Sequence, residues 1–124
     1  MLSDATLVGF IASTDLAKAA DFYGSTLGLD LVERNDFACV FDIFGTSLRV
    51  TKVDQVAAAP YTVLGWEVRD VTESARALAA AGIAAERYPG MPQDEDGIWT
   101  SPSGARVLWF KDPDGQVLSL TQPV

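Results

Sequence analysis

Histidine is absent from this chain of 124 residues, and cysteine occurs once, at Cys39. The absence of histidine excludes a Cys–His catalytic pair and removes the commonest protein ligand of metal ions. A single cysteine cannot form an internal disulfide, so we expect Cys39 to be a small buried side chain. The reactive groups that remain are mainly carboxylates, hydroxyls, guanidinium groups and aromatic rings.

Basic residues are also scarce. Lys and Arg together number 9, against 17 for Asp and Glu, which gives a net charge of −8. Such a charge repels phosphate backbones and favours cationic ligands, so we expect no nucleic-acid partner. An alternative interpretation is that the acidic residues only keep the protein in solution.

Long apolar runs and targeting features are missing as well. No apolar stretch approaches the length that a membrane helix requires, and segment 1–10 lacks the basic start and apolar run of a signal peptide. We therefore expect a cytoplasmic protein with no membrane partner. Apolar residues nevertheless make up 48% of the chain, which is enough for a packed core.

The chain does contain an internal repeat. Segments 8–33 and 64–87 each begin with a strand-like run containing Gly–aromatic, reach an Asp followed by an apolar residue, and continue through a helix that ends at Gly. The offset between the copies is about 55 residues. Either Thr14 or Asp15 can cap the first helix, and either Asp70 or Thr72 can cap the second.

Runs of β-forming residues separated by turn sequences follow both helices. The predicted strands are 29–34, 37–43 and 47–53 in the first half, and 84–87, 97–100, 105–111 and 116–121 in the second. This pattern predicts one α+β domain over residues 1–124, built from two βαβββ modules at about 5–56 and 61–122. Each helix covers only one face of its sheet. We therefore expect the uncovered faces of the two sheets to form the concave side of a curved, cup-like mixed sheet, where ligands bind.

Three segments resemble, in order, motifs of the vicinal oxygen chelate superfamily, which includes glyoxalase I, extradiol dioxygenases and bleomycin resistance proteins. These segments are DLAKAADFYGSTLGL, GWEVRDV and FKDPDGQVLSL. The resemblance covers essentially the whole chain and its duplication. It implies the glyoxalase/bleomycin resistance fold, and a homodimer, since this architecture commonly completes its cup with a partner.

The resemblance also locates the positions that hold a metal ion in the metal-dependent members of the family. These positions fall on Val8, Arg49, Val63 and Ser119, with Thr51 as the alternative to Arg49. Valine has no donor atom, and arginine stays protonated in proteins. We therefore expect no bound metal and no cofactor.

The same resemblance places a ligand site on the concave side of the sheet. The residues expected there are Val8, Phe10, Arg49, Val63, Gly65, Glu67, Trp99, Trp109 and Ser119. A two-residue hairpin at Pro113-Asp114 would pair Trp109 with Leu118, whereas a bulge or another turn would bring it to the Ser119 side. Strand alternation puts Glu67 on the face of Val63 and Gly65, where its carboxylate can orient a cation, act as a base, or form an ion pair with Arg49.

These features favour a metal-free protein that sequesters an aromatic or cationic small molecule, as the bleomycin resistance proteins do. A first alternative is a metal-independent enzyme, an isomerase, cyclase or lyase, that uses Glu67 or Arg49. A second is a metal-dependent glyoxalase or dioxygenase with relocated ligands. A third is an interaction or regulatory domain whose cup is filled by its own side chains.

Overall fold

A computed structural model describes every residue of the chain, 1–124, and the chain divides into two compact units. The first unit is Met1–Ala57 and the second is Ala58–Val124. Each unit contains one helical stretch and one four-stranded mixed sheet. The predicted α+β class with two βαβββ repeats is confirmed. The expectation of a single domain stays a prediction.

The first unit follows the predicted order of elements. These are β1 (Val8–Ser13), α1 (Leu16–Ala19) with its continuation as a π-helical segment (Ala20–Thr26), β2 (Asp30–Arg34), β3 (Ala38–Ile43) and β4 (Thr46–Lys52). The strand order is β1-β4-β3-β2, in which β1 lies parallel to β4 and the other neighbours are antiparallel. The parallel pair requires a crossover, and the helical stretch and the β2–β3 hairpin provide it.

Asp15, one of the two predicted caps, begins the first helix. Its carboxylate accepts hydrogen bonds from the backbone N–H groups of Ala17 and Lys18, at 3.0 and 3.1 Å. The helical stretch ends before Gly28, whose φ of 78° is the left-handed conformation that favours glycine at this position.

The core of the first unit lies between this helix and the sheet. Tyr23 is 1% exposed, and its ring centroid lies 6.1 Å from that of Phe41, which is fully buried. Cys39 is also fully buried, and its thiol donates a 3.7 Å hydrogen bond to the Leu16 carbonyl. Burial raises the pKa of this thiol, and the nearby Arg34 opposes that shift in part. Cys39 is therefore the buried side chain that its isolation in the sequence predicts.

The second unit repeats the arrangement. Its elements are β5 (Thr62–Glu67), α2 (Val71–Ala80), β6 (Trp99–Thr100), β7 (Arg106–Lys111) and β8 (Val117–Gln122). The strand order β5-β8-β7-β6 matches that of the first unit, including the parallel pairing of the first and last strands.

Asp70 caps α2 by accepting a 3.0 Å hydrogen bond from the backbone N–H of Glu73. The face of α2 that meets the sheet carries the small or aliphatic residues Val71, Ala75 and Leu78. Neither helical stretch of the chain is both long enough and apolar enough to cross a lipid bilayer.

The strand predicted at 84–87 is wrong. This segment makes a backbone hydrogen bond to the edge of β7, from Glu86 N–H to the Trp109 carbonyl at 2.8 Å. Its next available acceptor, the Glu86 carbonyl, bonds to the Gln93 side chain instead of to a strand. The segment therefore leaves the sheet and passes into the loop before a ladder can form.

Candidate functional site

The second sheet has one face packed under α2 and one face partly exposed, and several predicted site residues lie on the exposed face. Strand register aligns Gly65 of β5 with Ser119 of β8, and Ser119 with Trp109 of β7. Directly paired residues point to the same face of a sheet. Gly65, Ser119 and Trp109 therefore form one row across three strands, as the ligand-site prediction requires.

The turn between β7 and β8 decides the position of Trp109. Lys111 pairs with Val117, so the loop contains five residues, 112–116, and not two. Asp112 organises this loop: its carboxylate accepts hydrogen bonds from the backbone N–H groups of Asp114 and Gln116 and from the Gln116 side chain, at 2.8 to 3.0 Å. This longer turn brings Trp109 opposite Ser119, which is the second of the two predicted registers.

Trp109 belongs to a cluster of three aromatic rings. Its ring centroid lies 5.6 Å from that of Tyr88, at an interplanar angle of 86°, and 6.1 Å from that of Trp99, at 37°. Edge-to-face and tilted pairs of this kind stabilise each other and fix the ring orientations. The structure thus brings Trp99 and Trp109 together, and adds Tyr88, which the sequence analysis does not place in the site.

The Tyr88 phenol has a raised pKa. Burial is the largest cause, the carboxylate of Glu86 adds to it, and the ammonium group of Lys111 opposes it. The phenol is protonated at neutral pH, as an unshifted tyrosine would also be, and it can donate a hydrogen bond at the edge of the cluster.

A shallow pocket of about 230 Å³ opens at the Gly65 end of this face. It is lined by Gly65, Trp66, Glu67, Ser119, Thr121 and Pro123. A Cβ atom at Gly65 would lie 2.6 Å from the Ser119 hydroxyl oxygen, so any other residue type at this position would force the Ser119 side chain to move. Glycine at position 65 therefore keeps the Ser119 hydroxyl accessible beside the pocket.

Glu67 stands at the edge of the same pocket, where β5 ends. It pairs in register with Thr121, its side chain is exposed, and its carboxylate forms no hydrogen bond or ion pair. A free carboxylate beside an apolar wall can attract a cation or accept a proton. Val63, the remaining predicted residue on β5, is 43% exposed and lies in an irregular register between Thr62 and Leu64.

Trp66 lies on the other face of the same strand. It pairs in register with Leu120, a residue that is 8% exposed on the α2 side of the sheet. Trp66 therefore borders the pocket without belonging to the row of Gly65, Ser119 and Trp109.

The predicted residues of the first unit share one face of the first sheet. Phe10 pairs in register with Arg49, and Val8 lies two residues before Phe10 on the same strand face. Phe10 is 69% exposed and Val8 is 42% exposed. Arg49 has no carboxylate within ion-pair distance. This face therefore presents one apolar surface with one unpaired guanidinium group.

The four positions that hold a metal ion in related proteins do not fit one here. Val8 and Val63 offer no donor atom, Arg49 is a cation, and Ser119 offers only a hydroxyl group. Divalent ions in proteins are bound mainly by carboxylate, imidazole or thiolate groups, usually several together. No three His, Cys, Asp or Glu side chains converge anywhere in the structure. These four side chains together therefore lack the donor atoms of a metal site.

The loop between α2 and β6 carries the residues that the sequence analysis missed. Gln93 holds it in place: its amide donates to the carbonyls of Glu86 and Gly97, and its oxygen accepts from the backbone N–H of Tyr88, each at 2.8 Å. This loop positions Tyr88 against Trp109. The only signal in the sequence was that Tyr88 directly follows the segment predicted as a strand, because the Gln93 contacts are not visible as a local pattern.

Comparison with known protein families gives a match over most of the chain. A family model described as Glyoxalase/Bleomycin resistance protein/Dioxygenase superfamily matches residues 6–120. A comparison with curated protein sequences finds no match.

Solved structures with the same fold include three with informative names. Lactoylglutathione lyase from Agrobacterium tumefaciens superposes with a TM-score of 0.75 at 18% identity, covering 96% of this chain and 93% of that one. The fosfomycin resistance protein FosX from Listeria monocytogenes superposes with a TM-score of 0.76 at 16% identity, covering 100% of this chain and 94% of that one. TioX from Micromonospora sp. ML1 superposes with a TM-score of 0.72 at 21% identity, covering 97% of this chain and 99% of that one. At these identities the likeness shows the fold alone.

Proposed function

Because this chain belongs to the glyoxalase/bleomycin resistance protein/dioxygenase superfamily, as its three motifs predicted, we propose that it binds and sequesters a small aromatic or cationic molecule without a metal ion. The binding surface is the exposed face of the second sheet. The observation that carries this proposal is the aromatic cluster of Tyr88, Trp99 and Trp109 on the same face as the pocket beside Ser119.

The chemistry of this face selects the guest. A flat aromatic ring can stack on Trp109, and a positive charge can lie over an indole or beside the Glu67 carboxylate. Aromatic and cation–π contacts contribute about 0.5–2 kcal/mol each in favourable geometry. The net charge of −8 adds a long-range attraction for cations. Resistance to a toxic compound by sequestration is the biological role that such binding would serve.

Val8, Phe10 and Arg49 of the first unit remain predicted ligand-binding residues, and we propose that the protein acts as a homodimer. β1 has a hydrogen-bonded neighbour on one side only, and it carries the exposed apolar residues Val8 and Phe10. An apolar strand edge of this kind favours association. Sedimentation equilibrium on the full chain would report a particle of two chains, and a single-chain particle at micromolar concentration would contradict this part.

The proposal can be tested with two tricyclic probes of opposite charge, proflavine as the cation and 9-anthracenecarboxylate as the anion. We expect proflavine to quench tryptophan fluorescence with a Kd in the micromolar range and the anion to bind at least about tenfold more weakly. Trp109→Ala should weaken proflavine binding about tenfold or more, since it removes the central ring of the cluster.

Phe37→Ala is the matched control, because Phe37 is an exposed aromatic residue that belongs to neither the aromatic cluster nor the pocket lining, and it should leave the Kd within about twofold of the unchanged protein. Circular dichroism would show that both variants keep their secondary structure. Equal losses in the two variants, or no saturable quenching by either probe, would count against the proposal.

A second candidate function is catalysis without a metal, and the unpaired carboxylate of Glu67 beside the pocket favours it. In this role Glu67 would move a proton in an isomerase-, cyclase- or lyase-type reaction, with Arg49 as the other candidate residue. A bound molecule recovered chemically changed would support it, and Glu67→Gln should then abolish turnover while proflavine still binds on the aromatic rings, with a smaller loss of affinity than in Trp109→Ala. Recovery of the bound molecule unchanged would favour sequestration.

A further inference from the structure

A second cavity lies in the second unit, on the helix side of the sheet and away from the aromatic cluster. Its volume is about 460 Å³, within the range of small-molecule sites. It is lined by Ala75, Leu78, Ala79, Gly82, Ile83, Ala84, Ala85, Arg87, Glu95, Asp96 and Leu108. Leu108 faces α2, since it alternates along β7 with Trp109, so the two sites are separated by the sheet itself.

The cavity exists because small side chains meet where α2 crosses the segment that follows it. Alanines on the helix and on segment 84–85 leave the space that a larger residue would occupy. Gly97 lies close to Ala85, since a Cβ at Gly97 would lie 2.5 Å from the Ala85 Cβ. The buried Leu78 and Leu108 contribute apolar surface to the lining.

Three charged residues contribute to this lining, namely Arg87, Glu95 and Asp96. Of these, Arg87 is held by a hydrogen bond but has no counter-ion. Arg87 donates a 2.9 Å hydrogen bond to the backbone carbonyl of Glu95, and no carboxylate lies within ion-pair distance of its guanidinium group. Asp96, by contrast, is already compensated by Arg76 at 3.6 Å. The Glu95 side chain is exposed to solvent.

We propose that this cavity is a second ligand site, and that it takes a small carboxylic acid with an apolar body. The body would lie against the alanine and leucine surface, and the carboxylate would pair with the unused N–H groups of Arg87. The planar guanidinium group suits two-point recognition of a carboxylate. This inference is independent of the function proposed for the aromatic face.

Phenylacetate, phenethylamine and 2-phenylethanol test the site, because they share one ring and differ in the charge of the head group. We expect phenylacetate to shift the methyl resonances of Ala79, Ile83 and Leu108 in a saturable way, while the indole N–H resonance of Trp109 stays in place. It should bind about fivefold more tightly than the alcohol, and Arg87→Gln should remove that advantage.

Ala79→Leu tests the cavity itself, because the added side chain fills it and should abolish the methyl shifts. Ala80→Leu, on the exposed face of the same helix and outside the lining, should leave them unchanged. Tightest binding by the amine, no saturable shift with any probe, or shifts confined to the tryptophans would overturn the proposal. If Ala79→Leu does not fold, the comparison of Arg87→Gln with the unchanged protein decides the question.

Discussion

The two units share a strand order but differ in the side chains that pack between helix and sheet. Eight residues after its helix cap, the first unit has Tyr23 and the second has Leu78. Tyr23 is 1% exposed and packs near Phe41, whereas Leu78 borders the 460 Å³ cavity. A large ring closes the helix–sheet interface in one unit, and small residues leave it open in the other. The repeated fold therefore fixes the path of the chain and leaves the contents of each interface free to differ.

The ion pairs and the three tryptophans also divide between the units. All three ion pairs of the protein lie in the second unit, as does the cluster of Tyr88, Trp99 and Trp109. The first unit has four basic residues, and none lies within 4.0 Å of a carboxylate; they are Lys18, Arg34, Arg49 and Lys52. We infer that the first unit mainly provides a packed frame and that the second carries most of the ligand chemistry.

The largest effect is expected when the two equivalent side chains, Tyr23 and Leu78, are each truncated to alanine. Tyr23→Ala should lower the free energy of unfolding by about 4 kcal/mol, because it empties a filled interface. Leu78→Ala should cost about 2 kcal/mol, because Leu78 already borders open space. Urea unfolding followed by circular dichroism measures both values. An equal loss in the two variants would remove the distinction between a closed and an open interface.

A second test concerns the loop that only the second unit has. Gln93→Ala removes three hydrogen bonds and should cost about 2 kcal/mol of unfolding free energy. It should also weaken proflavine binding, since Tyr88 loses its anchor. Gln122→Ala is the control, because Gln122 makes one such bond, to the backbone N–H of Val71, and should cost about 1 kcal/mol with no effect on proflavine. Unchanged proflavine binding in Gln93→Ala would separate the loop from the site.

A third test should stabilise the first unit. Phe44 has a φ of 49° and is completely exposed in the β3–β4 turn, where Gly45 also has positive φ. Such a turn favours Asn-Gly, so Phe44→Asn should raise the free energy of unfolding by roughly 1 kcal/mol. Phe37→Asn alters another exposed Phe that has no positive φ and should bring no gain. Destabilisation by Phe44→Asn would mean that the ring makes a contact with a partner.

The smallest expected effects come from the ion pairs. Lys111 lies 3.2 Å from Glu86 with half of its side chain exposed, so Lys111→Met should cost no more than about 0.5 kcal/mol. Molar salt should remove that difference by screening. Lys52→Met, in the unit without ion pairs, should change stability by less still. A larger cost for Lys52→Met would show that the first unit uses its charges in a way that its geometry does not suggest.

The elements of this fold could be predicted because their signals are local. Asp15 and Asp70 begin the helices, Gly28 marks the end of the first, and alternation of apolar residues defines the strands, so most boundaries differ by one or two residues from the prediction. The segment 84–87 was predicted wrongly for the opposite reason. Its conformation depends on the hydrogen bond from the Gln93 side chain to the Glu86 carbonyl, which no local sequence pattern reveals.

The candidate site shows the same limit. The motif resemblance predicted Gly65, Ser119 and Trp109 as ligand-binding residues, and in the structure their register puts them in one row. The register of Trp109 itself could not be decided from the sequence, because it depends on how the Asp112 carboxylate folds the five-residue turn. Tyr88 could not be foreseen at all, since its position follows from the loop and not from a strand.

The most direct measurement is a proflavine titration of the full chain after exhaustive chelation of divalent ions, compared with the same titration before chelation. The account predicts a micromolar Kd that chelation leaves unchanged and that Trp109→Ala weakens about tenfold. Loss of binding on chelation, with recovery after one equivalent of a divalent ion is restored, would contradict it.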